Sequence, residues 1–224
     1  MRAAAAVVGV LIAAAISIAA SQPNPEPVDL STVPRGPCGF VSVAYDWDFS
    51  IDDQGFTTST CDATGGDSVW QWGTTSSVPG APGAVWATVL DGDYPSNSGE
   101  GLVSPPFECN GDQDVMEIVA YVDTEQGWDG GNVTVNDTVI TPVGGYPGTL
   151  NPDAYCVGGE EAFTGIVGTW QHQCFDLSAY WGQTIQVRFD FGADSEVTAR
   201  GWYLASVKIG DDFIPVELQA FTAE

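Results

Sequence analysis

The stretch Thr184–Gly210, TIQVRFDFGADSEVTARGWYLASVKIG, decides the fold. In its first half Ile185, Val187, Phe189 and Phe191 alternate with Thr184, Gln186, Arg188 and Asp190, which is the period of a β-strand. In its second half Tyr203, Ala205, Val207 and Ile209 alternate with Trp202, Leu204, Ser206 and Lys208. Between them Gly192-Ala193-Asp194-Ser195 has the small and acidic residues at which strands end. The pattern predicts a β-hairpin. Two strands alone are marginal in water, so its apolar face has to lie on another sheet.

Working outward, the same alternation returns at Val43, Tyr45, Trp47 and Phe49. Short strands are predicted at 69–73, 85–90, 170–177 and 213–218, a hairpin arm at 133–140 with a bend at Asn136-Asp137, and a central strand at 115–122, where only Glu117 interrupts the apolar run. Pro105 and Pro106 confine 102–107 to a sheet edge or strand end. Residues 51–67 read as a polar loop carrying Cys61, and 141–167 as a long Gly/Pro-rich excursion of the kind that carries function or is pinned by a disulfide. One helical turn is expected at 176–182, stopped by Gly182. No segment has the period of a long amphipathic helix. About ten short strands with turn signals between them mean an all-β sandwich or barrel.

The N-terminus has a single Arg2 followed by an Ala/Val/Ile/Leu run and then Ala19, Ala20 and Ser21. We read 1–20 as a secretory signal, the Pro-rich stretch 21–39 as a linker, and 40–219 as the folded domain. The expected location is secreted, extracellular or at the cell surface. The end at Glu224, shortly after the last expected strand, reads as leaving no room for a further C-terminal domain. The chain has 30 acidic against 5 basic residues, a formal net charge of −25. Such a charge argues against nucleic acid or an anionic membrane as partner. It suits a chain kept soluble where salt or Ca²⁺ screens its self-repulsion.

Five cysteines in an exported chain imply disulfides with one thiol left over. Cys156 and Cys174 bracket one long loop and are the expected pair. Cys61 then has Cys38 or Cys109 as partner, and the remaining thiol is either buried or joins another chain, burial being the preferred reading.

Catalysis finds little to work with. His172 is the one histidine, so no two-histidine zinc site can be assembled, and a Ser/His/Asp arrangement would have to use this same residue. No Gly-x-Ser-x-Gly elbow is present, and no two of the 30 acids stand out as a glycosidase pair. The chain reads as non-catalytic. Calcium is the best-supported chemistry, because it takes six to eight oxygen ligands, commonly from acidic loops. Asp123, Glu125 and Asp129 lie together on a loop with Gly127, Gly130 and Gly131; Asp91 and Asp93 around Gly92, and Asp194, are further candidates. Each also fits a solvated acidic loop. For ligand binding the candidates are Trp128 and Trp181, which fall in loop or turn contexts, whereas Trp47, Trp70, Trp72, Trp86 and Trp202 follow strand patterns that cap a core. Asn132-Val133-Thr134 and Asn136-Asp137-Thr138 match glycosylation sequons.

Several stretches, taken in order, resemble a known family: Gly55-Phe56, Trp70-Gln71-Trp72-Gly73, Val85-Trp86-Ala87-Thr88, Gly92-Asp93-Tyr94, Leu102-Val103-Ser104-Pro105-Pro106, Thr141-Pro142-Val143-Gly144-Gly145-Tyr146, Phe175-Asp176-Leu177-Ser178-Ala179-Tyr180 and Val187-Arg188-Phe189. Together they are similar to MAM-like domains, near those appended to immune inhibitor A-type secreted bacterial metallopeptidases. The resemblance runs from about Phe40 to Gly210. It implies a two-sheet antiparallel jelly roll of galactose-binding-like type that serves as an adhesion, carbohydrate-binding or accessory module, often with a structural Ca²⁺. The expected partner is an extracellular glycan or protein; the rival reading is a structural surface or matrix component with no small ligand. Relatives carry Ile-Asp-Asp-Val where this chain has Leu204-Ala205-Ser206-Val207, so any role tied to those acids does not transfer.

Overall fold

Alternating apolar residues need two sheets to face one another, and the described residues supply fifteen strands for it. The structure, a computed structural model, describes residues 38–60, 69–111 and 113–212. All of these belong to one compact unit, Arg35–Glu224. The expected signal segment, most of the linker, Cys61 and the expected strand at 213–218 lie outside the described residues.

The first sheet has the order β12(Gln171–Asp176), β7(Val115–Asp123), β15(Gly201–Asp212), β4(Ala84–Ala87), β3(Gln71–Thr74), and β1(Phe40–Asp48) also pairs with β15. The second runs β2(Thr57–Ser59), β5(Gly99–Val103), β14(Val187–Gly192), β8(Gly130–Val135), β9(Thr138–Ile140). Short pairs β6(Phe107–Cys109) with β13(Gln183–Ile185), and β10(Gly148–Thr149) with β11(Glu161–Ala162), close the sides. Numbering β1, β5, β7, β8, β9, β12, β14 and β15 from first to eighth, the sheets read first-eighth-third-sixth and second-seventh-fourth-fifth. All pairings among the described residues are antiparallel, and this is the two-sheet jelly roll that the resemblance implies.

The predicted hairpin is not one. β14 pairs with β5 and β8, β15 pairs with β7, β4 and β1, and the two strands lie in opposite sheets. Both alternate because both face the same core: Phe189 of β14 meets Trp202 of β15 across it, ring centroids 5.9 Å apart. The alternation in β15 also changes phase. The register against β7 shifts between Leu204 and Ser206, a bulge at Ala205. Trp202 and Leu204 before it, and Val207 and Ile209 after it, therefore share the inter-sheet core. Tyr203 and Ala205 face outward into a second cluster with Val78, Val85, Ala87 and Tyr121. The loop bearing Val78 covers this face, and Trp170 Nε1 donates to its Pro79 carbonyl at 3.1 Å. At the same bulge β1 gives way to β4, so these two strands share one flank of β15 in succession.

The disulfide prediction is corrected. Cys174 is bonded to Cys38, not to Cys156. Cys174 sits on β12 opposite Glu117 of β7, and Cys38 immediately precedes β1, so the bond ties two strands of the first sheet at one end. Cys156 is disulfide-bonded as well. Among the described residues the free thiol is Cys109, which is buried; it donates to the Gln113 carbonyl at 3.0 Å, and burial pushes its pKa up. The loop 51–67 contains an unforeseen strand, β2, which pairs with β5.

Candidate functional site

At the other end of the sandwich two connections cross between the sheets. The chain from β7 to β8 goes from the first sheet to the second, and the chain from β14 to β15 returns. The first is a tight turn: Trp128 and Asp129 both donate backbone N–H to the Glu125 carbonyl, at 3.2 and 3.1 Å, and Gly127 takes φ +77°. Buried Thr164 braces it, accepting from Gly127 N–H at 2.8 Å and donating to the Asp129 carbonyl at 2.8 Å. This turn brings Glu125 and Asp129 onto one side, and the return crossing lays Asp194 against them. Ligand oxygens of the three carboxylates fall within 4.8 Å of one another.

The cluster is largely buried and negative, Glu125 being its one partly exposed member. Asp129 is fully buried and Asp194 is 5% exposed. Asp129 accepts from the Tyr94 hydroxyl at 2.7 Å and from Asp194 N–H at 2.8 Å, while Asp194 accepts from Glu196 N–H at 2.8 Å. Burial, reinforced by the charges of Asp194 and Glu125, pushes the Asp129 carboxyl up to about 6, although its two hydrogen bonds pull the other way. Burial and the Asp129 contact also push the Tyr94 hydroxyl far above its ordinary value, so it stays a donor. One oxygen of Glu125, Oε2, is buried without a hydrogen-bond partner. Among the described residues, no Lys, Arg or His forms an ion pair with any of the three. An all-oxygen set with an orphaned carboxylate oxygen fits a hard divalent cation.

The structure sorts the other candidates. Asp123, expected beside Glu125 and Asp129, ends β7 instead and lies 3.4 Å from Arg200 Nε. Asp194, remote in sequence, takes its place. Asp91 and Asp93 are exposed; Asp91 accepts only long contacts from Ser76, at 3.4 and 3.5 Å. Trp128 is 41% exposed on the turn between two members of the cluster. Trp181 is 61% exposed beyond β12, near the start of β7, where Leu177 N–H donates to the Asp114 carbonyl. The length of β7, about 26 Å at roughly 3.3 Å per residue, separates the two indoles, so they form no common platform. Trp47, Trp70, Trp86 and Trp202 are buried as expected, while Trp72 is 39% exposed on the edge strand β3. Asn132 is fully buried, which removes its sequon from the surface; Asn136 is exposed in the β8–β9 turn. His172 lies on β12 with Nδ1 3.3 Å from Glu117 Oε1, a strand position with no further catalytic group. Ala205 and Ser206 sit at the mid-strand bulge, outside the acidic cluster.

No family model matches the chain. Bacillopeptidase F of Bacillus subtilis (strain 168) is 27% identical over 175 residues, 76% of this chain. The pre-pro-metalloprotease PrtV of Vibrio cholerae is 29% identical over 121 residues, 52% of this chain. Among solved structures, the K1 cleaved adhesin domain of Lys-gingipain from Porphyromonas gingivalis W83 aligns with a TM-score of 0.42 at 18% identity, over 75% of this chain and 98% of that one. The C-terminal CBM6 of LamC, a marine laminarinase from Zobellia galactanivorans, aligns with a TM-score of 0.31 at 12% identity, over 70% and 100%. The chain spans 11% of the length of bacillopeptidase F and 13% of PrtV.

Proposed function

We propose that the chain is an exported, non-catalytic binding module of MAM-like type whose inter-sheet turns are held by Ca²⁺ through Glu125, Asp129 and Asp194. The acidic cluster, with no basic partner among the described residues, carries this reading. A bound divalent ion would supply the positive charge that the three carboxylates lack. It would also fix the turn on which Trp128 projects, making that indole the contact for an extracellular glycan or protein. The local similarity to bacillopeptidase F and PrtV supports a module that works beside secreted peptidases. One histidine, half-exposed on a strand, supports the absence of a peptidase centre in this segment.

Thermal melts in Ca²⁺ and in EDTA test the ion. At Ca²⁺ a hundredfold above Kd, mass action predicts stabilisation of about 2.7 kcal/mol, or roughly 5–10 °C in a domain of this size. An unchanged midpoint sinks the calcium assignment. Binding to a glycan or protein array that Trp128→Ala abolishes supports recognition at this turn. No array binding favours the structural reading.

A further inference from the structure

The outer face of the second sheet carries a polar centre that the acidic cluster does not use. Strand alternation points Arg188 and Asp190 of β14 outward, flanked by Thr134 of β8 and by Gly101 and Val103 of β5. Arg188 Nε lies 2.7 Å from Asp190 Oδ1, and Thr134 Oγ1 donates to Asp190 Oδ2 at 3.2 Å. The pair lies flat across β5, because a Cβ at Gly101 would overlap the guanidinium and fall 2.8 Å from Asp190 Oδ1. A flattened ion pair of this kind is usually a closed structural element. This one is not closed: Arg188 Nη2 is buried without a hydrogen-bond partner. Leaving such a donor unmade is costly unless something outside the chain accepts from it.

A cleft of about 430 Å³ opens beside it, lined by Thr134, Asp137, Gln186 and Arg188 with Val103 and Pro106. A smaller lobe of about 130 Å³ continues over Asp190 and Glu160, sharing Thr134, Asp137 and Arg188. The larger volume is within the range of small-molecule sites. Its chemistry excludes most ligands. Asp137, Asp190 and Glu160 outnumber Arg188, so anions are repelled, and the unmade Arg188 donor calls for an acceptor, which a simple cation lacks. What remains is a neutral molecule that both donates and accepts at adjacent positions and has an apolar edge for Val103 and Pro106. Vicinal hydroxyls on a pyranose ring meet that description.

We infer that the Arg188–Asp190–Thr134 cleft on the outer face of the second sheet binds a short neutral saccharide. The inference rests on the reading of this chain as a binding module, but it places recognition in a different region from Trp128. The test is calorimetric titration of the full chain with neutral glucan, xylan, mannan and galactan fragments, with acidic glycans and Ser/Gly-rich neutral peptides as comparisons. Arg188→Lys keeps a cation beside Asp190 and removes the guanidinium fork; Thr134→Val removes the hydroxyl and keeps the shape. Binding of a neutral fragment that weakens about tenfold or more in either variant supports the cleft, with native melting showing that the variant is folded. Such binding persists in EDTA and in Trp128→Ala. Binding that survives both cleft variants but vanishes in Trp128→Ala overturns the cleft and leaves the turn as the site. Preference for acidic glycans or peptides, or no binding to any neutral fragment, also overturns it. Calcium-dependent melting reports on the other reading separately.

Discussion

Asp129 is the residue on which the metal reading can be tested without any metal. Its carboxyl is held near 6 against an ordinary 3.8, so at intermediate pH the folded chain keeps a proton that the unfolded chain has lost. Its contribution to stability therefore falls as pH rises between about 4 and 6 and stays low above that window. In EDTA, the midpoint of Asp129→Asn is expected to fall less over this window than that of the parent chain. Parallel pH profiles for the two would remove Asp129 as the strained group. In Ca²⁺, the same substitution is expected to abolish the EDTA-sensitive part of the melt. The sequence pointed to Glu125 and Asp129, since both lie on one short acidic loop. It separated Asp194 from them and added Asp123, because local spacing does not say which turn a distant crossing packs against. Arg200, four residues after Glu196 on that crossing, captures Asp123 instead.

At the scale of the element, β15 shows what periodicity conveys and what it hides. Alternation located the strand correctly, yet it also suggested one continuous face and a neighbour in β14. A bulge of one residue swaps the faces, and a strand facing a shared core alternates just as a hairpin partner does. The bulge places Ala205, where the resembled domains carry an acid, on the outer face of the first sheet. That side chain is 4% exposed among Tyr121, Tyr203 and Val85, where a carboxylate would be buried without a partner. Restoring acid there with Ala205→Asp is expected to lower stability by about 3 kcal/mol or more, measured by urea unfolding. A loss below 1 kcal/mol would mean that the outer cluster admits water, contrary to its packing. Cys174 is a comparable case. Its loop argued for Cys156, but β12 and β1 belong to one sheet, joined through β7 and β15, and Cys38 ahead of β1 reaches Cys174, which sequence distance conceals.

For the molecule as a whole, two long-range terms dominate. The Cys38–Cys174 bond spans a separation of 136 residues, so chain entropy makes it worth about 4–5 kcal/mol. Cys38→Ser/Cys174→Ser should lose stability on that scale in chemical denaturation; a change under 1 kcal/mol would show that the unfolded chain is already restrained elsewhere. The net charge of −25 works against compaction, so the melting midpoint should climb with NaCl even in EDTA. A midpoint independent of salt would mean that repulsion is already relieved within the fold. The sandwich itself was legible because its core positions alternate in nearly every strand. The cleft around Arg188 was not, since it depends on Gly101 being absent of side chain beneath a neighbouring strand.

The jelly roll is fastened at its two ends by different means. Near the start of β7 the fastening is covalent, through Cys38 and Cys174. Near the end of β7 two arches between the sheets bring together carboxylates that repel one another, held by the Asp194 N–H bond to Asp129 and the Arg200–Asp123 pair. Under the calcium reading, each fastening responds to a different property of the surroundings, one to redox potential and the other to divalent-ion activity. A reducing, calcium-poor compartment leaves both undone, and an oxidising, calcium-rich one completes both. The chain would then remain pliable during synthesis and transit and set rigid on arrival, with its environment acting as the trigger for maturation.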